Sequence, residues 1–187
     1  MSLINCSNCG GQISDMAEFC PHCHVEVVKD PTEKYSDTIY NNICEFLDED
    51  EYYYEKNVTD GILYIPRLGI DSPLKSVNVL IRVRESDYII SVHPDNFKIS
   101  SQHLGEFSKL AMLINGLYYF PQLVVDYKHQ NVIARHYCDS GDKVVDINEI
   151  RRNFLQTATH FDDCGKVLMS VSLGLQTAEE AFNSLRE

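Results

Sequence analysis

The chain has 187 residues, with 16 Lys and Arg against 28 Asp and Glu, a formal charge of −12 at pH 7. At roughly 100 to 200 residues per domain, this leaves room for one ordinary domain with a small appended module, and not for two full domains. The excess of acid excludes a general binder of phosphate backbones or anionic lipid, because no global field draws the chain to either.

The acidity is local. Residues 36–60 carry eight acids and one base, centred on Asp48, Glu49, Asp50 and Glu51, whereas residues 61–187 carry fifteen acids and thirteen bases. Such a run reads either as a solvated helix end kept open by like-charge repulsion or as a docking patch for a basic partner. Apolar residues make up 44% of the chain, so the remainder has the composition of a globular body with a core.

Four of the seven cysteines fall in the first 23 residues, as Cys6-Ser-Asn-Cys9, ten intervening residues, then Cys20-Pro-His-Cys23. The opening Met-Ser-Leu-Ile-Asn has neither a basic nor an apolar signal region, and the longest apolar run is Leu110 to Ile114. That run is far short of the roughly 20 residues a membrane span needs, so a cytoplasmic location without membrane contact is expected. In a reducing compartment, paired C-x-x-C thiols read as metal ligands. Two residues between cysteines let the backbone curl so that both sulfurs point at one centre. Two such turns facing each other give the tetrahedral four-thiolate cage that Zn2+ accepts, and Cys6, Cys9, Cys20 and Cys23 are the expected ligands of one structural ion.

Three alternatives use the same residues. His22 or His24 could displace a cysteine, iron could occupy the same four-sulfur geometry, and one pair could be a catalytic dithiol, against which the presence of two pairs argues. A closed four-thiolate site leaves no position for water, so it serves binding or stability and not hydrolysis. A segment of this size cannot bury enough surface to fold alone, which makes the metal its core. The order C-x2-C-Gly10, Ile13, Ala17-x-Phe19, Cys20-Pro21-x-Cys23 resembles the short zinc-ribbon modules at the amino termini of many bacterial and archaeal proteins. The resemblance covers residues 4 to 26, with His24 standing where such ribbons usually carry glycine.

Val25 to Val28 extend the ribbon and Asp30-Pro31 stops it, giving a ribbon over residues 1–28, a linker over 29–37 and a body over 38–187. A helix capped by Ser36 or Asp37 follows, with Ile39, Ile43, Phe46 and Leu47 at helical spacing. Strands are predicted over Gly61–Arg67, Ser76–Arg84 and Tyr88–His93. The middle one alternates Val77, Val79, Ile81 and Val83 against Asn78, Arg82 and Arg84, and turns at Glu85-Ser86-Asp87. The Tyr52-Tyr53-Tyr54 cluster before them begins an edge strand, packs beneath the acidic loop or contacts a partner.

Residues 101–117 return to helical period with Leu104, Phe107, Leu110, Ala111, Ile114 and Leu117. Two strands, Pro121–Lys128 and Val132–Cys138, flank a three-residue loop at His129-Gln130-Asn131. Asp146 with Glu149 reads like a capping box before one long helix whose buried stripe is Ile147, Ile150, Phe154, Ala158 and Phe161. Thr177 with Glu180 makes a second box, before a short helix with Ala178, Ala181, Phe182 and Leu185 inward. The fold class is therefore α+β, an antiparallel sheet with helices packed on it.

The body resembles the YbjN-like family of bacterial proteins. Leu113-Ile114-Asn115, Tyr119-Phe120, Val124-Val125-Asp126, Val132-Ile133, Gly174 and Ala178-Glu179-Glu180-Ala181 carry that resemblance over residues 38–187. His129-Gln130-Asn131 departs from the family's Asp-Gly-like turn. The resemblance implies a fold like that of type III secretion chaperones and a binding or regulatory module that can dimerise, with no catalytic residues to carry over.

No phosphate-binding, dinucleotide-binding, metalloprotease or nucleophile-elbow motif is present. His103 and Glu106 share a helix face by spacing alone, His129 and His136 read as solvated loop histidines, and Cys44, Cys138 and Cys164 read as small buried hydrophobes. The expected protein is a non-enzymatic zinc-binding adaptor or chaperone-like regulator that binds a protein partner. The alternative is a nucleic-acid-associated regulator acting through the ribbon. With only Lys29 and Lys34 as bases in residues 1–35, that segment would neutralise phosphates poorly.

Overall fold

A computed structural model describes residues 3–5, 11–14, 22, 35–139 and 145–186. The chain divides into two compact units, Met1–Glu33 and Lys34–Glu187. The expected ribbon exit, residues 25–28, and residues 29–34 of the expected linker lie outside the described residues, while Asp37, the last of that linker, is the first residue of the first helix. In the first unit, β1 (Leu3–Asn5) pairs antiparallel with β2 (Gln12–Ser14).

The second unit is α+β. It begins with α1 (Asp37–Glu49), whose first turn is closed by the Ser36 hydroxyl accepting the Ile39 amide at 3.3 Å. The face spaced at Ile39, Ile43, Phe46 and Leu47 is buried, as its period requires. Six strands follow in one antiparallel sheet: β3 (Glu55–Asn57), β4 (Ile62–Gly69), β5 (Ser76–Val83), β6 (Asp87–Pro94), β7 (Gln122–Asp126) and β8 (Asn131–Asp139), in spatial order β3-β4-β5-β6-β8-β7. The β4–β5 pairing shifts register between Ile65 and Leu68, where Arg67 has φ 51°.

Strand β5 alternates as its sequence demands: Val77, Val79, Ile81 and Val83 are buried while Arg82 is exposed. Tyr88, Ile90 and Val92 on β6 and Val132, Ala134 and Cys138 on β8 extend the same inner face. The helices α2 (Leu104–Asn115), α3 (Ile147–Ala158), α4 (His160–Ser172) and α5 (Ala178–Leu185) complete the unit. α3 packs on β6, β8 and α1, while α2 packs on β7, α4 and α5. The core lies between helices and sheet, with Phe46, Phe107, Phe154 and Phe161 fully buried. No helix among the described residues is long and apolar enough to cross a membrane.

The tyrosine cluster leads into an edge strand, β3, as expected, with Tyr52 and Tyr54 packed against the core and Tyr53 73% exposed. Several other expectations are corrected. The helix over residues 101–117 starts as one 3-10 turn and ends at Asn115, which leaves Leu117 exposed. The β7–β8 loop has four residues, 127–130, because Asp126 pairs with Asn131. Asp126 closes it by accepting the His129 amide, and Gln130 takes the positive φ. Asp146 caps through the Asn148 amide at 3.1 Å and no reciprocal box forms with Glu149, whereas the Thr177–Glu180 box is complete.

The expected long helix is two. Thr159 ends α3 and begins α4, so the chain closes on three helices. Helix α4 lies so near the β4–β5 connection that a Cβ on Gly165 would meet the buried Ser72 hydroxyl and stand 3.2 Å from Leu74 Cδ1. Gly165→Ala is expected to cost about 1 to 3 kcal/mol through overpacking, read as a lower urea midpoint at unchanged slope. An unchanged midpoint would show that the two segments separate freely.

Candidate metal centre and partner-binding face

The four expected ligands, Cys6, Cys9, Cys20 and Cys23, lie outside the described residues, as does His24. Their flanks are described. Asn5 pairs with Gln12, so residues 6–11, which hold the first cysteine pair, connect two paired strands. His22, between the cysteines of the second pair, places its Nε2 3.3 Å from the Gln12 carbonyl oxygen. A carbonyl only accepts, so Nε2 carries the proton there and its lone pair is not available to a metal. The ring also lies against Gly11, where an added Cβ would stand 2.6 Å from His22 Cδ2. Residue 22 thus lies beside the strand that follows the first pair, and a four-cysteine donor set is one that Zn2+ or iron accepts.

In the second unit the helices cover one face of the sheet. On the other, register sets Ile62, Arg82, Ile89 and Tyr137 in one cross-strand row and Tyr64, Leu80, Ser91, Arg135 and Gln122 in the next. Tyr64, Leu80 and Ile89 are half-buried, while Tyr137 is 47% exposed. This face is thus apolar along its middle and open.

Its rim charges are paired. Asp87 binds Arg84 Nε at 2.6 Å and accepts the Tyr137 hydroxyl at 2.8 Å, with the Arg84 guanidinium 5.1 Å from the Tyr137 ring centre. Arg67 lies 3.7 Å from Asp95, and His129 pairs with Asp126 at 2.7 Å. Arg82 and Arg135 are exposed and form no ion pair among the described residues. His93 on this face is held below the usual histidine range, first by burial and then by Arg135.

The remaining sequence candidates do not assemble into a reaction centre. Glu106 accepts the Ala178 amide at 2.9 Å at the start of α5, and His103 lies against Gly174, so each supports a helix end. His136 is not a solvated loop residue. It points inward from β8 and is 6% exposed, stacks on Phe120 with ring centres 4.8 Å apart, and donates from Nδ1 to the Thr157 hydroxyl at 3.1 Å. Alternation along β8 places it inward, a signal the sequence did carry. Cys44, Cys138 and Cys164 are free and buried, and burial pushes the Cys138 thiol up to about 12.

The acidic run is partly neutralised within the fold. Arg151 on α3 binds Glu49 at 2.8 Å and Asp50 at 3.0 Å, which offsets carboxylates at a helix C-terminus, where the dipole disfavours them. An open groove of about 570 Å³ runs along α3 at Asn148, Arg151, Arg152, Leu155 and Gln156 and ends at Thr159. No acidic side chain lines it. Among the described residues, no group of three or more His, Cys, Asp or Glu could hold a metal ion.

No family model, no curated protein and no solved structure matches the chain. What the protein does must therefore be inferred from the cysteine pairs and the open sheet face.

Proposed function

We propose that the protein is a non-enzymatic zinc-binding adaptor or chaperone-like regulator whose sheet receives a segment of a protein partner. The observation that carries this reading is the outer sheet face, open and apolar along its middle beneath Tyr64, Leu80, Ile89 and Tyr137. A face of this kind exposes surface that water solvates poorly and a partner covers well. Helices packed on a single side of an antiparallel sheet also agree with a fold like that of type III secretion chaperones.

In this reading Cys6, Cys9, Cys20 and Cys23 hold one Zn2+, which supplies the folding energy of the amino-terminal unit and takes no part in a reaction. The His22–Gln12 contact supports it, because a residue between the cysteines of the second pair meets the strand that follows the first, and because the contact removes the Nε2 lone pair of His22 as a competing donor.

Elemental analysis of the purified protein is expected to give about one zinc per chain. Cys9→Ser is expected to release the metal while the melting transition of the larger unit stays in place. Metal-free protein with all four amino-terminal thiols reactive would remove the zinc reading. For the partner, a photocrosslinking residue at Ile89 should capture a discrete protein adduct that the same residue at Met112, exposed on α2, does not. Equal labelling from both positions, or none from Ile89, would remove the adaptor reading.

A further inference from the structure

We propose that the segment received by the outer sheet face is an acidic one, lying extended across the strands with two carboxylates four residues apart and an apolar residue midway between them. This rests on the adaptor reading and adds the chemistry of the partner.

Two guanidiniums on this face, those of Arg82 and Arg135, have no ion-pair partner among the described residues. Arg82 on β5 pairs in register with Ile89, and Arg135 on β8 pairs with Ser91, so the two arginines lie on one face, two strands apart and offset by two residues. With about 4.8 Å between strands and about 3.4 Å per residue, their Cα atoms stand about 12 Å apart. In an extended segment, residues i, i+2 and i+4 face the same way, and i to i+4 spans about 13.6 Å. Carboxylates at i and i+4 therefore reach one guanidinium each. The residue at i+2 then falls over β6 between Ile89 and Ser91, with Leu80 and Tyr137 to either side. Guanidinium–carboxylate pairs are the geometry arginine suits best, and shielding by the apolar residue between them strengthens both.

Two other occupants fit less well. A second copy pressing the same face across a two-fold axis would bring four arginines together. Of the carboxylates on this face, Asp87 is bound by Arg84, Asp95 by Arg67 and Asp126 by His129, and the exposed Glu55 and Asp139 sit at its margins, on the edge strand β3 and at the end of β8. A single-stranded nucleic acid needs a track of cations with exposed aromatic rings to stack on. This face has two unpaired arginines and one largely exposed ring, Tyr137, and Tyr137 is tied to Asp87.

The test uses the full-length, zinc-loaded protein and three probes. They are the peptide Thr-Glu-Thr-Leu-Thr-Glu-Thr, its lysine counterpart Thr-Lys-Thr-Leu-Thr-Lys-Thr, and a twelve-nucleotide oligothymidine. Binding is followed by amide chemical-shift mapping at low salt. The glutamate peptide is expected to shift the amides of Leu80, Arg82, Ile89, Ser91 and Arg135. Its affinity should fall at least tenfold in the Arg82→Gln/Arg135→Gln variant, which alters two exposed side chains and leaves the core untouched. Stronger occupation of this face by the lysine peptide would overturn the charge assignment and leave the docking reading standing. Binding by oligothymidine in preference to the glutamate peptide would replace a protein segment with nucleic acid. If no probe perturbs the face, both the inference and the reading beneath it fall.

Discussion

Replacing Phe154 by alanine is expected to remove about 3 to 5 kcal/mol of folding stability, the usual cost of deleting a fully buried aromatic ring. Phe154 is 0% exposed on α3 and meets Phe46 at 5.2 Å and Tyr52 at 5.1 Å between ring centres, both edge-on. These contacts join α1 and the segment before β3 to the helix that covers β6 and β8. Edge-on aromatic pairs add about 0.5 to 1.5 kcal/mol each beyond the area they bury, so the upper end of the range is the more apt. Urea unfolding of the variant, followed by far-ultraviolet circular dichroism, measures the loss. A change below about 1 kcal/mol would mean that the three rings do not form one cluster. Leu155, the next residue, is 41% exposed. Leu155→Ala is the matching control and should change little.

The second large effect is on stability against acid. His160 is 2% exposed at the start of α4, its Nε2 has no hydrogen-bond partner, and burial holds its pKa down to about 4, with Asp163 opposing. In the unfolded chain the same group takes up a proton near 6.5. The unfolded state therefore binds more protons between these values. The contribution of His160 is fully present above about pH 7 and is lost as pH falls from about 6.5 to about 4. The full loss is about 3 kcal/mol, since each tenfold difference in proton affinity between the folded and unfolded chain is worth about 1.4 kcal/mol. His136, also buried and lowered, acts in the same direction.

His160→Phe keeps an aromatic ring against Tyr118, whose ring centre is 5.1 Å away, and removes the titrating nitrogen. The variant should show a flatter stability profile between pH 6.5 and 5, above the range where most carboxylates titrate. An identical slope in both proteins would assign the acid sensitivity to other groups.

Local elements were well marked in the sequence, and long-range ones were not. The alternation of Val77, Val79, Ile81 and Val83 and the spacing of Ile39, Ile43, Phe46 and Leu47 each identified a strand or helix with its buried face. The break at Thr159 left no such trace. The buried positions Ile150, Phe154, Ala158 and Phe161 keep helical spacing across it, and the turn contains neither Gly nor Pro. Direction changes there because α3 rests on the sheet, whereas α4 rests on α2 and α5.

The candidate sites divide in the same way. Cysteine spacing announces a metal centre without any fold. Arg82 was recognisable as outward-facing from the alternation of β5 alone. Its relation to Arg135, 53 residues further on, exists only because β8 inserts between β6 and β7. No local pattern encodes that choice of neighbour.

That insertion also governs the order in which the molecule can be assembled. The β6–β8 ladder at the centre of the sheet joins residues 42 to 52 positions apart, from Val92–Ala134 to Asp87–Asp139, whereas β5 and β6 meet through a tight turn. Closing so long a loop costs chain entropy before any contact repays it, which slows the step relative to the hairpins on either side. During synthesis, β6 keeps an unpaired edge until residue 139 has left the ribosome, with Tyr88, Ile90 and Val92 ready to pair with a stray strand. Strand β6 thus waits longest for its second neighbour, and α3, the helix that packs on it, is made after that.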